Sequence, residues 1–234
     1  MIGYNQLVRY AKESGASLGV FEKDYIISCA LAALSKTDHL TENLIFKGGT
    51  ALRKVYFPDW RYSEDLDFSV LPAFEKERLK PLIEEWSNKI YQETEISMGI
   101  KDFHKANGAA RLRAQFTGPL RHPNLLLFDI TLDEPIIIAP QKRPIFKPFE
   151  ESPEALISVY SLEEILAEKL SSILQRGKSR DYYDVWRLLK EKQDLVDLKI
   201  ASDIFQKKCL HRGIEITSLT EFTSEEKVAN AQRY

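Results

Sequence analysis

Two aspartates separated by one residue, Asp65 and Asp67, are well suited to chemistry. Their spacing matches the period of two of a β-strand, which places both carboxylates on one strand face. Such a pair can bind a divalent cation, and Mg²⁺ commonly keeps the phosphates of a substrate among its ligands. A third carboxylate on a neighbouring strand would complete a two-metal site. Asp129, isolated in an apolar run, is the candidate, while the alternative for the Asp-x-Asp pattern is a solvated strand face.

A glycine pair, Gly48 and Gly49, precedes the aspartates by one short predicted helix. It ends an apolar run and leads into Thr50, whose hydroxyl can cap that helix. A turn of this kind offers backbone N–H groups to a phosphate, and Ser63 could add its hydroxyl. A Gly-Gly pair alone is typical of any strand-to-helix turn. Its position just before the acidic strand favours a phosphate site.

The elements that must position these residues follow from hydrophobic periodicity. We predict a buried strand over residues 44–47, a helix over 51–57 ended by Pro58, and a strand over 65–70. Further helices are predicted over 22–35, 75–93, 161–175, 181–191 and 198–210, and further strands over 96–103, 111–116 and 125–132. Prolines concentrated between 135 and 153 indicate a connection. The pattern predicts an α+β fold with a first domain over 1–150 and a C-terminal helical domain over 151–234.

Composition sets broad limits on the kind of protein. The 234 residues are 44% hydrophobic and 29% charged, which is typical of a globular protein with a real core. The net charge of −2 does not indicate a nucleic-acid binder, although local clusters can still grip phosphates. The two cysteines, Cys29 and Cys209, form no disulfide framework or zinc pattern. Without an apolar run of about 18 to 20 residues or a signal-peptide pattern, we expect a cytoplasmic protein with no membrane partner.

Residues 46–70 resemble the AbiEii/MenT-type nucleotidyltransferase toxins, a branch of the polymerase-beta-like nucleotidyltransferase superfamily. The resemblance rests on the order Lys47-Gly48-Gly49-Thr50-Ala51-Leu52 and then Arg61-x-Ser63-x-Asp65-Leu66-Asp67-Phe68. Three further matches extend it to residues 22–190: Glu22-Lys23-Asp24-Tyr25, Ala167-Glu168-Lys169-Leu170 and Arg180-Asp181-Tyr182-Tyr183-Asp184-Val185. The motifs therefore cover most of the chain and occur in the same order as in the family.

The resemblance implies a nucleotidyltransferase fold, a mixed sheet flanked by helices and followed by a helical domain in a bilobed arrangement. It assigns the metal, Mg²⁺ or Mn²⁺, to Asp65 and Asp67, and the phosphates to Gly48, Gly49, Thr50 and Ser63. By the same resemblance, Lys169 contacts the phosphates of the nucleotide across the cleft. The acid of the fourth motif is Asp184, with Asp181 as the alternative. Asp129 occupies the place of the third carboxylate of the superfamily.

The function that the resemblance implies is that of a toxin in a toxin–antitoxin or phage-defence (abortive-infection) pair. Such an enzyme transfers a nucleoside monophosphate from a nucleoside triphosphate to an acceptor. The expected acceptor is a tRNA 3′ end, and the expected regulator is a cognate antitoxin. Two alternatives remain open: nucleotidylation or phosphorylation of a protein hydroxyl, and a non-catalytic nucleotide-binding module. The sequence does not predict the nucleotide base.

The residues of the later motifs can also be explained structurally, without reference to the family. A lysine such as Lys169, at the edge of an apolar helix face, usually extends to water. Arg180 and Asp184 are spaced for a structural ion pair. Cations also cluster in three places, on one predicted strand, among the prolines and after the Lys169 helix: Arg111 and Arg113; Lys142, Arg143 and Lys147; and Arg176, Lys178 and Arg180 followed by Tyr182 and Tyr183. Cations interleaved with aromatic rings fit a single-stranded RNA end, and ordinary surface charge with core tyrosines is the alternative.

Overall fold

The computed structural model describes residues 1–106, 108–147 and 149–233, which form two compact units. The first unit comprises Met1–Asp133 and Pro140–Val159. The second comprises Glu134–Ala139 and the described residues from Tyr160 onward. The sequence placed the division between 150 and 151. The first unit extends to Val159 because residues Leu156–Val159 form a strand of its sheet.

A seven-stranded mixed sheet, counted over the described residues, organises the first unit. Its strands in chain order are β1 (Leu44–Lys47), β2 (Asp65–Val70), β3 (Ser97–Ala106), β4 (Ala109–Thr117), β5 (Pro123–Thr131), β6 (Gln141–Pro144) and β7 (Leu156–Val159). Their spatial order is β3-β4-β5-β2-β1-β7-β6. β2 pairs antiparallel with β1 and parallel with β5, so the acidic strand lies near the middle of the sheet.

The helices divide between the two units. Those of the first unit are α1 (Tyr4–Ser14), α2 (Leu18–Leu34), α3 (Asp38–Asn43), α4 (Gly48–Ala51) and α5 (Leu79–Thr94). Those of the second are α6 (Leu162–Arg176), α7 (Ser179–Lys190), α8 (Leu198–His211) and α9 (Glu225–Gln232). The predicted α+β class, a helix-flanked mixed sheet followed by a helical region, is confirmed. Within the described ranges, no helix combines the length and hydrophobicity needed to cross a membrane.

The core of the first unit lies against one face of the sheet, as shown by the alternation of buried and more exposed side chains along β4 and β5. Trp86 of α5 packs edge-on against Phe68 and Phe128, with ring centroids 6.1 and 5.2 Å away. Its indole N–H donates to the carbonyl of Ala30 at 2.8 Å. Because Phe68 and Leu66 are fully buried on this face, Asp65 and Asp67 are directed to the opposite one.

The segment after the glycine pair differs from the prediction. Residues 44–47 and 65–70 form strands with the predicted bounds. The predicted helix over 51–57 instead begins at Gly48 as α4 and continues as a π-helical turn, Leu52–Tyr56. Thr50 therefore lies inside the helix rather than at its cap. π-Helical turns are rare and occur frequently at functional sites.

The second unit is tied together at the start of α6. The Glu164 N–H donates to the Ser161 hydroxyl at 3.2 Å, as expected for the predicted helix cap. The Glu164 carboxylate accepts hydrogen bonds from the N–H groups of Ile137 and Ile138, at 3.0 and 3.4 Å. These contacts explain why Glu134–Ala139 belongs with the helices rather than with the sheet that precedes it.

Candidate active site

The glycine turn after β1 lies directly against the acidic strand. Gly48 has a φ of +77°, and a Cβ atom there would lie 2.3 Å from Asp67 Oδ2. A Cβ on Gly49 would lie 2.8 Å from Arg61 Nη2 and 3.3 Å from Ser63 Oγ. Gly48 therefore requires glycine for both its conformation and its space. At Gly49 an added Cβ would displace the end of the flexible Arg61 side chain. The turn, the cation, the hydroxyl and the carboxylate form one cluster.

Asp65 and Asp67 occupy the same face of β2, and both are half-buried. The Thr50 hydroxyl, which is fully buried, donates to the backbone carbonyl of Asp65 at 2.5 Å. This bond fixes the start of the acidic strand against the helix that follows the glycines. The predicted contact of Thr50 with a nucleotide remains a prediction, and the structure gives its side chain a positioning role.

A buried cation lies on the strand next to the acids. Lys47 is the register partner of Asp67 across the antiparallel β1–β2 pair and is only 7% exposed. Its ammonium group donates to the hydroxyl of Thr131 at 3.1 Å. Directly opposed residues of an antiparallel pair share one face of the sheet. Lys47 therefore adds positive charge on the face that carries the carboxylates.

Asp129 lies beside Asp67 on the other neighbouring strand. The two are register partners across the parallel β2–β5 pair. The Asp129 carboxylate accepts a hydrogen bond from Arg111 Nε at 2.8 Å, in an exposed ion pair. Among the described residues, no group of three or more His, Cys, Asp or Glu side chains is arranged to hold a metal ion. The metal role of Asp129 stays a prediction.

The Glu22-Lys23-Asp24-Tyr25 motif positions the segment that follows the glycine turn. Lys54, in the π-helical turn, is 3% exposed, and its ammonium donates to Asp24 Oδ2 at 2.7 Å and to Ser28 Oγ at 2.9 Å. Arg53 Nε donates to Asp24 Oδ1 at 3.2 Å. Burial lowers the pKa of Lys54, and the neighbouring Asp24 carboxylate opposes that shift. Lys54 is not among the site residues predicted from the sequence, although a lysine between the apolar residues Leu52 and Val55 was a signal.

The acids of the fourth motif lie in the second unit, where they share Lys169. The Lys169 ammonium is 3.0 Å from Asp181 Oδ1 and 2.8 Å from Asp184 Oδ2, and both aspartates are fully buried. Arg176 adds a second cation, with its Nε 3.0 Å from Asp181 Oδ2. Burial alone would raise the pKa of Asp181, but Lys169 and Arg176 outweigh it and hold that pKa below its ordinary value. Lys169, at 7% exposure, does not extend to water as an edge lysine usually does.

The same unit contains a second buried charge cluster, which the sequence did not predict. Lys208 of α8 is 1% exposed and lies 2.6 Å from Glu134 Oε1, 3.3 Å from Glu168 Oε1 and 3.4 Å from Glu164 Oε1. The Tyr160 hydroxyl donates to Glu134 Oε1 at 3.0 Å. The helical periodicity of α8 gave no sign of this cluster, because its acids lie more than 35 residues earlier in the chain.

A glycine turn beside a strand with two carboxylates, on an α+β scaffold, is an arrangement that can bind phosphate groups and a divalent cation. The sequence model of the family described as "Nucleotidyl transferase AbiEii toxin, Type IV TA system" matches residues 30–233. The chain belongs to this family and is therefore a nucleotidyltransferase toxin of a type IV toxin–antitoxin system. Membership implies a cognate antitoxin. The resemblance noted in the sequence is confirmed.

Among solved structures, the chain is similar to MenT4, a nucleotidyltransferase toxin from Mycobacterium tuberculosis H37Rv. The TM-score is 0.76 at 17% sequence identity, with 99% of this chain and 80% of that chain covered. At this identity the likeness concerns the fold. No sequence among the curated proteins matches the chain.

Proposed function

We propose that this toxin is a Mg²⁺-dependent enzyme that transfers a nucleoside monophosphate from a nucleoside triphosphate to the 3′ end of a tRNA. The observation that carries the proposal is the juxtaposition of the acidic strand and the glycine turn. Asp67 Oδ2 occupies the space that a side chain at Gly48 would need, and Arg61 and Ser63 lie in the same way against Gly49. Triphosphate contacts and metal ligands thus come from one cluster.

The residues of this cluster fit a divalent cation. Asp65 and Asp67 are half-buried carboxylates on one strand face, and oxygen ligands of this type suit Mg²⁺ or Mn²⁺. The absence of side chains at Gly48 and Gly49 lets Asp67, Arg61 and Ser63 lie directly against the glycine backbone. A phosphate held by the backbone N–H groups of this turn would therefore lie beside them. When bound, the cation would neutralise charge on the phosphates and the leaving pyrophosphate. Asp65 and Asp67 would hold it.

In the proposed reaction, the acceptor hydroxyl attacks the α-phosphorus of the triphosphate. A new P–O bond forms, the bond from the α-phosphorus to the bridging oxygen breaks, pyrophosphate leaves, and the hydroxyl proton passes to solvent. The backbone N–H groups around Gly48 and Gly49, the Ser63 hydroxyl and the Arg61 guanidinium would stabilise charge on the phosphate oxygens. Fixed donors and cations of this kind are the main source of catalysis in phosphoryl transfer.

Lys169 and Asp184 belong to the proposal through the family motifs. We assign Lys169 a phosphate contact and Asp184 the role of the acid that positions it, with the 2.8 Å ion pair between them as support. Asp181 shares the same ammonium at 3.0 Å, so it can serve as an additional positioning acid. A Lys169→Arg variant keeps the charge, and its effect on the Michaelis constant for the triphosphate tests the contact.

A transfer assay with each of the four labelled nucleoside triphosphates, total tRNA and total protein tests the proposal directly. We expect label in tRNA with at least one nucleotide, pyrophosphate release, and loss of both in Asp65→Asn and Asp67→Asn. Label in protein alone would replace the RNA acceptor by a protein hydroxyl. Absence of pyrophosphate release, with nucleotide binding retained, would indicate a non-catalytic binding module.

The chain offers a matched pair of controls on the same sheet. Asp129 pairs with Arg111 at 2.8 Å, and Asp102 pairs with Arg113 at 3.3 Å, both in exposed positions. Asp102 lies on β3, two strands farther from β2 than Asp129 on β5. Asp102→Asn therefore removes an exposed carboxylate outside the cluster and should leave transfer unchanged. If Asp129→Asn behaves like Asp102→Asn, Asp129 is not a metal ligand. If it abolishes transfer, Asp129 joins the site.

A further inference from the structure

Helix α7 presents two aromatic side chains to solvent on one face. Tyr183 is 39% exposed and Trp186 is 51% exposed, and their ring centroids are 6.4 Å apart. Residues three apart on a helix are neighbours on its surface. The other tryptophans of the chain, Trp60 and Trp86, are each 1% exposed. Tyrosine and tryptophan are enriched at binding interfaces, because each combines a large apolar ring with a polar group.

The neighbouring side chains show that this pair is presented outward and not left over from the core. The preceding tyrosine, Tyr182, donates its hydroxyl to the carbonyl of Phe222 and is thereby held within the second unit. The opposite face of α7 is buried at Asp184 and Leu188. Arg187 Nη1 lies 3.5 Å from the Tyr183 hydroxyl, where it can orient the ring. Tyr183 and Trp186 thus form a surface that the unit itself does not cover.

The surroundings of the pair are basic, although the whole chain carries a net charge of −2. Between residues 176 and 192 the sequence has six cations and three acids: Arg176, Lys178, Arg180, Arg187, Lys190 and Lys192, against Asp181, Asp184 and Glu191. Asp181 and Asp184 are fully buried and paired with Lys169. Glu191, the remaining acid, is 2.6 Å from Arg187. The formal net charge of residues 176–192, the segment that carries both rings, is therefore +3.

We propose that Tyr183 and Trp186 form a stacking platform for unpaired nucleobases of single-stranded RNA, with the neighbouring cations contacting its phosphates. Aromatic faces stack on any base, and a basic surface follows the backbone, so such a platform binds without strict sequence preference. The inference deepens the proposed function and rests on its RNA acceptor, because it names where unpaired bases of that acceptor bind. In a symmetric contact between two copies of the chain, this basic segment would face its own copy and be repelled.

Trp186 makes the inference directly measurable. Because Trp60 and Trp86 are buried, a ligand that stacks on Trp186 changes the emission of that residue alone. We would titrate a single-stranded oligoribonucleotide of about twelve nucleotides, within the usual size of such sites, into the full chain. Saturable quenching is expected with this oligonucleotide. An abasic oligomer of equal length should bind about tenfold more weakly, because stacking on aromatic side chains is lost.

Variants separate stacking from charge. By filter binding, Tyr183→Ala and Trp186→Ala should each weaken affinity about tenfold, whereas Trp186→Phe keeps a stacking ring and should bind nearly as wild type. Tyr91→Ala is the matched control. Tyr91 is 59% exposed on α5, and Glu93 and Glu95 follow it in the sequence. Its removal should leave RNA affinity unchanged.

Four results would overturn the inference, three of them from binding and the last from RNA labelling. The first is equal affinity of wild type and Trp186→Ala, and the second is equal affinity for the abasic oligomer, which would leave a phosphate contact only. The third is a change of Trp186 emission with protein concentration and not with RNA, which would assign the surface to self-association. Asp65→Asn should retain stacking while losing transfer. If Trp186→Ala labels RNA like wild type, the platform is wrong and the proposed function stands. If RNA still stacks on Trp186 but the wild-type protein labels no RNA, the proposed function is wrong and the platform stands.

Discussion

A Cβ atom on Gly48 would lie 2.3 Å from Oδ2 of Asp67, closer than any side chain approaches a neighbour. The same residue has a φ of +77°, a backbone conformation that L-residues adopt only under strain. The turn after β1 and the acidic strand β2 are thus built against each other with no space for a side chain between them. Gly48 is as necessary to the carboxylate site as the aspartate that it faces.

Gly48→Ala should therefore abolish nucleotidyl transfer. The new methyl group must displace the Asp67 carboxylate, while the left-handed backbone alone costs about 1 to 2 kcal/mol of unfolding free energy. The measurements are the transfer rate and a urea unfolding curve. Gly15→Ala is the control, because Gly15 has a φ of +70° with no atom within 4 Å of the added Cβ. It should lose a similar amount of stability and keep full activity. Equal activity of the two variants would contradict this account of the turn.

Lys54→Met should destabilise the first unit strongly. The substitution leaves the Asp24 carboxylate, itself 3% exposed, without the ammonium that lies 2.7 Å from it. Removing one partner of a buried ion pair costs on the order of 3 kcal/mol, because the other charge stays buried. The measurement is the free energy of unfolding in urea. The π-helical turn that carries Lys54 should also lose order, with a fall in transfer rate.

Lys23→Met is the matched control for Lys54→Met. Lys23 lies 2.6 Å from Glu64 in a pair whose glutamate is half-exposed, and such surface pairs contribute at most about 1 kcal/mol. A double variant, Asp24→Asn with Lys54→Met, should recover part of the loss because no unpaired charge remains buried. A loss below 1 kcal/mol for Lys54→Met alone would show that Arg53 suffices to hold Asp24.

Both cysteine thiols should be inert in the folded protein. Burial raises the pKa of Cys29 to about 11, and it also raises the pKa of Cys209. The reactive species is the thiolate, so neither side chain reacts appreciably at pH 8 while it stays buried. A thiol assay at pH 8 should find almost no reactive groups in native protein and two in urea. One fast-reacting equivalent in native protein would disprove the burial of one of them.

The strands of the site are predictable from the sequence because their signals are local. Residues 44–47 are an apolar run stopped by glycine, and residues 65–70 alternate in the period of a half-buried strand. The bounds of both match the structure. The glycine–carboxylate pairing was also readable, because only one short helix separates its two parts.

The remaining features depend on residues that are distant in the sequence. The π-helical turn at Leu52–Tyr56 contains Lys54, whose ammonium is held by Asp24, 30 residues earlier. The Lys208 cluster brings together acids from two separate segments, Glu134 and helix α6. Hydrophobic periodicity registers neither, because a buried lysine and an exposed one look alike in a helix pattern. β6 and β7 escaped prediction because they are short strands in and next to a proline-rich connection.

The acid dependence of stability should reveal the Lys169–Asp181 pair. Lys169 and Arg176 hold the pKa of Asp181 below its ordinary value, against burial that would raise it. The unfolded chain thus binds a proton at higher pH than the folded one, and stability rises with pH across this window. The stabilisation is complete above the ordinary aspartate pKa of about 3.9 and is lost as pH falls through the lower folded value.

Asp181→Asn should therefore cost on the order of 3 kcal/mol at pH 7, and the difference from wild type should shrink as the pH falls from 5 to 2. Urea unfolding of both proteins at each pH gives this difference, in which the titration of other carboxylates cancels. Asp102→Asn is the control, since its exposed pair with Arg113 should contribute less than about 1 kcal/mol at any pH. If the difference between wild type and Asp181→Asn stays constant down to pH 2, the carboxylate is not stabilised by its cations. Lys169 would then owe its burial to Asp184 alone.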